Sequence, residues 1–476
     1  MISLPYRHQL VSLLLVLVLV LQPPSARAIV YNVSASGSGL DLYEAMDLAE
    51  AGDTVSLADG TYDGAIVSTR DGTKDNPITV VGGADAIING EFGDRSVHIT
   101  HSFMTLKGFS VQGKIGPSNS TEDYVEKCVY VEGTGGVNSS SPLDGFVMEG
   151  LSIENCGGEC VRLKDYVVNA NITGNTIQNC GIYDYEFPSD EKNGEGVYIG
   201  TSSNQWTYGP DACDNNVVKA NNISTSGNEC VDIKEGATGN IIEDNVCSNQ
   251  LDANSGCYDS RGDGNTFRYN VGSDCVGAGV RLGGWEIDGH QYGVNNSVYG
   301  NRFLAVGFGA IKILVAGQGD ICGNSCEDGS CGLTGNALAE IRETWDEACG
   351  DVGGPSTSSF IDSSLSTSTT EPTPTTVLLS SQSSTATSDD GSASSEESTD
   401  EGSSQDIVSA TAQSEGSDVD AYASTAVDAD DEEQESQDDD GDEEDDDDDE
   451  EEDGDDDEED GESKRRRRRR LRGGSY

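Results

Sequence analysis

Acidic and basic side chains recur at matching places in three short segments, Cys160-Val-Arg-Leu-Lys164, Cys230-Val-Asp-Ile-Lys234 and Cys257-Tyr-Asp-Ser-Arg261. Gly196-Val-Tyr-Ile-Gly200 falls between the first two, and Gly279-Val-Arg-Leu-Gly283 follows the last. Each alternates apolar and polar residues with period two, the signature of a short strand with one face inward. Strands of this kind stacked in register lie about 4.8 Å apart, so their outward residues form columns. One column holds Arg162, Tyr198, Asp232, Asp259 and Arg281, and the next holds Lys164, Lys234 and Arg261. Mixed acid and base on one exposed sheet face is a candidate active site.

Asp232 and Asp259 stack directly in this arrangement, and two carboxylates that close repel unless a cation lies between them. Oxygen ligands on a rigid surface suit calcium, with Glu195 and Glu229 within reach from the strand starts. A uronic-acid polymer gives such a group a task. Its C5 proton is barely acidic, and neutralising the adjacent carboxylate with calcium or arginine stabilises the enolate-like transition state. A lysine crowded by cations loses its own proton and serves as general base. Collapse of the intermediate then expels the 4-linked sugar without water. Arg162, Lys164, Tyr198 and Arg281 are the candidate substrate contacts. The structural alternative is a ladder of charges that satisfy one another across strands.

The elements that must position these residues are coils. The segments return roughly every two to three dozen residues, the period of a solenoid whose coils each add one strand to a long parallel sheet. Strand-like runs at Ile78-Thr-Val-Val81, Ser96-Val-His-Ile99, Phe109-Ser-Val111, Cys128-Val-Tyr-Val131 and Phe146-Val-Met148 precede the stacked set, and Ile311-Lys-Ile-Leu-Val315 closes it. A second repeat runs beside the first: Asn175, Asn221, Asn245, Asn270, Asn301 and Asn324 each mark a coil corner. Asparagine tolerates the left-handed backbone that corners need, and stacked amides hydrogen-bond along the axis. Residues 40–51 have helical spacing and lead into Gly52-Asp-Thr-Val-Ser-Leu-Ala-Asp-Gly-Thr-Tyr62, so a helix is expected to cap the first coil, whose strand edge is otherwise open. The fold class is all-β, a right-handed parallel β-helix of about ten coils over residues 29–350, with a capping helix and a disordered C-terminal tail.

Residues 1–28 read as a secretory signal peptide: Arg7, an apolar run from Leu10 to Leu21, then Ala26-Arg-Ala28. The run is short for a transmembrane span and no second one follows. All 13 cysteines lie between Cys128 and Cys349, and an oxidising compartment would pair most of them, leaving an odd one. Cys156 and Cys180 are expected to stack on adjacent coils within disulfide reach, as are Cys230 and Cys257. Sequons at Asn32, Asn119, Asn138, Asn171, Asn222 and Asn295 fit a secretory route.

The net charge of −60 is divided, with a little under half of the 87 acidic residues after Ser380. So acidic a chain does not bind nucleic acid through its general field. Attraction of an anionic polysaccharide or cell-wall glycan needs local basic residues or a bound cation. Residues 351–427 are rich in Ser and Thr with scattered Pro, an extended stalk. Residues 428–476 form an acidic tail that ends in Lys464 and a run of arginines. Neither segment can bury a core. The expected product is a secreted, extracellular monomer, with cell-wall association open.

Lys234, with Glu229 five positions before it and Arg261 on the next coil, resembles the Lys–Arg pair of the alginate lyase and chondroitinase B family. The wording Glu229-Cys-Val-Asp-Ile-Lys-Glu-Gly236, a corner at Asn245, then Tyr258-Asp-Ser-Arg-Gly-Asp-Gly-Asn265 is similar to that pattern. Gly52 to Tyr62 and Gly72-Thr-Lys-Asp-Asn-Pro-Ile-Thr79 likewise resemble that family and its pectate-lyase relatives, so the likeness covers most of residues 30–345. The resemblance implies Lys234 as base, Arg261 as partner acid or charge stabiliser, and a calcium ion near Glu229. Three departures stand out: Gly262 follows Arg261 where the family has His, Asp232 and Asp259 replace small neutral residues, and Gly227 replaces a second ligand. The ordered acidic motifs of polygalacturonase-like hydrolases are missing, and Tyr208-Gly-Pro-Asp211 only faintly matches the epimerase motif of alginate-modifying β-helices. The rival from another class is a non-catalytic surface or adhesion protein that uses the β-helix as a sugar-binding rod.

Overall fold

A computed structural model describes residues 27–37, 39–134, 141–187, 193–337 and 345–349. Residues 1–26 of the expected signal segment, the stalk, the acidic tail and the Asn138 sequon lie outside them. Within them the chain winds as a right-handed parallel β-helix of three sheets, one with 11 strands and two with 10. Each coil places one strand in the first sheet, one in the second and one in the third, and every pairing between successive coils is parallel and in register.

The reason lies in the period-two pattern. In the first sheet Val55, Val80, Leu106, Met148, Ile172, Val218, Ile242, Phe267 and Val298 form one inward column. All nine are buried, and burying a side chain of this kind contributes about 1.5–3 kcal/mol. A slip of one residue would turn the column outward, so the stacking register is strongly specified. In the third sheet the inward column runs Val97, Val129, Val161, Val197, Val231, Tyr258, Val280 and Ile311. The outward residues of that third sheet carry the charges noted above.

The asparagine columns are continuous hydrogen-bond ladders. Asn175 Nδ2 donates to Asn221 Oδ1 (2.8 Å), and the pattern continues through Asn245, Asn270, Asn301 and Asn324 at 3.0 Å each. Each donor amide also reaches a backbone carbonyl of the coil below, as Asn245 does to Val218. The left-handed backbone is not at these asparagines. It falls on the residue before each, Gly174, Ala220, Asp244, Tyr269, Gly300 and Gly323. The asparagine side chain is thereby turned inward, where its amide satisfies corner groups that water cannot reach.

The capping helix spans Leu42–Leu48, with the Asp41 carboxylate accepting from Glu44 N at 2.7 Å. It buries Leu42, Ala45 and Met46 over the first coil. The other α-helix among the described residues is one turn, Ile182–Tyr185. No described helix is long and apolar enough to cross a membrane.

The expected coil-to-coil disulfides do not form. Cys230 and Cys257 do stack, with Cys230 N donating to Cys257 O, but their partners are Cys247 and Cys275. Cys156 and Cys180 bond to Cys128 and Cys160 instead of to each other. In-register neighbours have parallel Cα–Cβ vectors, which keep their β-carbons near the strand spacing and beyond the roughly 3.8 Å a disulfide prefers. A cysteine on the second sheet of one coil and one on the third sheet of the coil before face each other across a corner. Cys326 pairs with Cys331, and Cys322 and Cys349 are also disulfide-bonded. Cys213, buried, is the free one.

Candidate active site

The third sheet's outward column runs His98, Tyr130, Arg162, Tyr198, Asp232, Asp259, Arg281 and Lys312. The five residues read from the sequence therefore sit on five successive strands, in the expected order. The face is not exposed. Arg162, Tyr198, Asp232, Lys234, Asp259, Arg261 and Arg281 are all buried, Lys234 the most open at 8%. Strands of three to five residues give no hint of this burial.

At the centre is Tyr198. The Arg162 guanidinium lies 3.7 Å from its ring centroid and Lys234 Nζ lies 4.8 Å from it. Burial pushes the Tyr198 phenol well above its ordinary range. Lys234 Nζ meets Asp232 Oδ2 at 2.9 Å. This differs from the expectation of a lysine crowded by cations, because a carboxylate on its own strand is the group it meets. Asp259 turns the other way, to Arg281 Nη1 at 2.8 Å, and also accepts from Ser255 Oγ at 3.1 Å. Arg261 is buried beside Glu235, Nε to Oε1 3.6 Å. Lys164 lies apart, 4.0 Å from Glu132, since Gly200 takes the position between it and Lys234.

A third column stands at the strand starts: Glu159, Glu195 and Glu229, each two residues before an inward valine of the register. The repeated wording Glu-Cys-Val, Glu-Gly-Val, Glu-Cys-Val in the sequence marks all three, yet Glu159 was not among the expected residues. Burial opposes its charge, but Lys127 at 3.7 Å and Arg162 at 2.6 Å overcome that and hold its carboxyl down to about 2. Its two column neighbours have no such pair. Burial, with the Glu159 charge next, pushes Glu195 up to about 8. Burial and the Asp232 charge drive Glu229 well above the carboxylate range. Asp259 is also raised by burial, to about 6, with Arg281 opposing.

Glu195, Glu229 and Asp232 converge, each offering an oxygen within 4.8 Å of the others. Glu229 Oε2 and Asp232 Oδ1 are buried and accept no hydrogen bond. Glu195 accepts from Gly194 N (3.0 Å) and Asn228 Nδ2 (3.4 Å), while Ser255 Oγ donates to Glu229. Asp259, expected as a ligand, is not in this cluster. Asp211 of the Tyr-Gly-Pro-Asp segment is a corner support, accepting from the backbone of Asp165 and Tyr166 and from Thr201. The five described sequon asparagines, Asn32, Asn119, Asn171, Asn222 and Asn295, are exposed.

Comparison with known proteins matches this architecture. A crystal structure of an alginate lyase from a Paenibacillus species is 22% identical, with a TM-score of 0.51 over 65% of this chain and 97% of that one. A pectate lyase structure is 13% identical over 68% and 82% of the two chains, TM-score 0.46. A mannuronic-acid-specific lyase from human gut microbiota is 16% identical over 66% and 83%, TM-score 0.39. At these identities the likeness is one of fold, the right-handed parallel β-helix. No protein-family model and no curated protein sequence matches the chain.

Proposed function

We propose that the protein acts outside the cell on an anionic, uronic-acid-containing polysaccharide, as a cation-assisted β-eliminating lyase. The observation that carries this reading is the Lys234–Asp232–Tyr198 group on two adjacent strands, contiguous with the buried Glu195, Glu229 and Asp232 carboxylates, two of which, Glu229 and Asp232, have an unpartnered oxygen. Disulfide density and exposed sequons support an oxidising, secretory route.

Calcium takes oxygen ligands alone, and Glu195, Glu229 and Asp232 supply only oxygen, two of them with nothing else to satisfy. These residues fit the ion. When bound, it supplies charge neutralisation for a substrate carboxylate. Lys234 Nζ, as the neutral amine after its proton passes to the Asp232 carboxylate it meets, removes the C5 proton of the uronate. Arg261 and Arg281 stabilise the developing negative charge. The C5 electron pair becomes the C4–C5 double bond as the C4–O4 bond breaks, and the departing O4 takes up the proton that Lys234 removed from C5. No water is consumed.

One observation favours a second reading, non-catalytic sugar binding: the charged groups are already matched, Lys234 with Asp232 and Arg281 with Asp259. Ultraviolet absorbance of unsaturated sugar ends, followed across alginate, pectate and glycosaminoglycans, separates the two. Binding without unsaturated product leaves the second.

A further inference from the structure

We infer that two loops beside the site form an aromatic arch that holds an uncharged pyranose next to the reacting uronate, so that the preferred polymer alternates uronic acid with a neutral sugar. This rests on the lyase reading for the identity of the neighbouring unit.

The first loop, residues 200–213, follows Val197–Ile199, the strand of Tyr198. The second, residues 283–293, follows Ala278–Leu282, the strand of Arg281. It folds as an antiparallel hairpin, Glu286 opposite Gln291 and Ile287 opposite His290. Its neck is pinched by Gly283, Gly284 and Gly293. A β-carbon on Gly293 would lie 1.7 Å from Gly283 O, and φ there is +83°, so glycine is required.

The two loops meet above the intervening strands. The Trp206 and Tyr292 rings touch edge-on with centroids 5.7 Å apart, and His290 packs on Tyr292 at 4.4 Å. Both ends are tied to the site. Trp206 Nε1 donates to Thr201 O (2.9 Å), and Ser203 N donates to Glu235, the neighbour of Arg261. His290 Nε2 lies 2.8 Å from Asp263, two residues after Arg261, and Val294 N donates to the other oxygen of that carboxylate. Trp206 and Tyr292 are half-buried, while Tyr208 and Trp285 on the same loops are 42% and 45% exposed. Of the 3 tryptophans in the chain, two are here.

Half-exposed aromatic rings with polar edges suit the apolar face of a sugar ring. The charge of the loops selects which sugar. Residues 200–213 and 283–293 contain no Lys or Arg, and they carry Asp211, Glu286 and Asp288. Asp263, Glu235 and Asp288 all act on the Tyr292 phenol, which burial first and then their charges push up. A uronate stacked here would face carboxylates with no lysine or arginine from either loop. The uronate belongs over Arg261 and Arg281, and the arch receives its uncharged neighbour.

Unsulfated chondroitin, polymannuronate and polygalacturonate distinguish the possibilities, read by unsaturated ends and by quenching of tryptophan fluorescence. Wild type is expected to prefer chondroitin. Trp206→Ala and Tyr292→Ala should each raise KM for it roughly tenfold with kcat nearly unchanged, the scale of one lost aromatic contact. Trp206→Phe, which keeps a ring but not the donation to Thr201, should retain most of the affinity. Preference for a homopolymer, or an unmoved KM in both alanine variants, overturns the arch and leaves the lyase reading standing. Fluorescence quenching by chondroitin that is lost in Tyr292→Ala, without unsaturated ends from any polymer, retains the arch and sinks the lyase reading. The wild-type preference needs no variant, so a misfolded alanine variant does not protect the inference.

Discussion

Asp232 and Asp259 are register partners on neighbouring strands, yet each carboxylate faces a different cation, Lys234 at 2.9 Å and Arg281 at 2.8 Å. Their mutual repulsion is relieved by two side chains of the same sheet. The proposed cation site is one column over, where Glu195 and Glu229 converge with Asp232.

Lys234→Ala should remove all unsaturated product. Unlike a change at an exposed strand residue, it should also destabilise the fold, because breaking a buried ion pair costs about 3–5 kcal/mol. Combining it with Asp232→Asn should restore much of the melting temperature and none of the activity. Full activity in Lys234→Ala, measured by absorbance, would reassign the base.

Calcium added to chelator-treated protein should show a site by titration calorimetry. Glu195→Gln or Glu229→Gln should weaken it by an order of magnitude or more, since each removes a charged ligand. Asp259→Asn should leave it nearly intact. Equal loss in the Asp259 variant, or none in the glutamine variants, would move the ion elsewhere.

The raised carboxyls set a pH dependence. Glu195, at about 8 when folded, and Asp259, at about 6, bind protons more tightly in the fold than in the unfolded chain. Their contribution is full below the ordinary carboxylate range and is lost as pH rises through 6 and then 8. Glu159, held at about 2, acts oppositely, and its contribution is lost only as pH falls toward 2. Chelator-treated protein should therefore melt at a higher temperature at pH 5 than at pH 9. A calorimetric scan showing the reverse order would contradict the buried, unpaired state of Glu195.

Asn245→Ala should cost several kcal/mol. The side chain donates to Asn270 and Val218 and accepts from the backbone and side chain of Asn221, and each buried partner left unsatisfied costs about 1–3 kcal/mol. Denaturant unfolding measures it; a loss below 1 kcal/mol would mean the ladder relaxes around the gap.

The sequence by itself determined the coil, its register and the columns. Period-two alternation leaves one stacking that buries Val231 and keeps Asp232 outward, so Arg162, Tyr198, Asp232, Asp259 and Arg281 fall in line from spacing alone. The Asn corners were legible for the same reason, a repeat read at a fixed offset. Only tertiary structure decided where each side chain turned. Asp259 has Arg281 one coil further on and Ser255 at its own strand start, so it leaves the carboxylate cluster that Glu195 completes. Cys230 stacks on Cys257 but bonds Cys247, because a disulfide needs β-carbons that converge and in-register neighbours hold theirs parallel. Burial of the site was likewise hidden, as was the meeting of the loops of residues 200–213 and 283–293. These have no period, and their contact at Trp206 and Tyr292 depends on the coils between them being stacked.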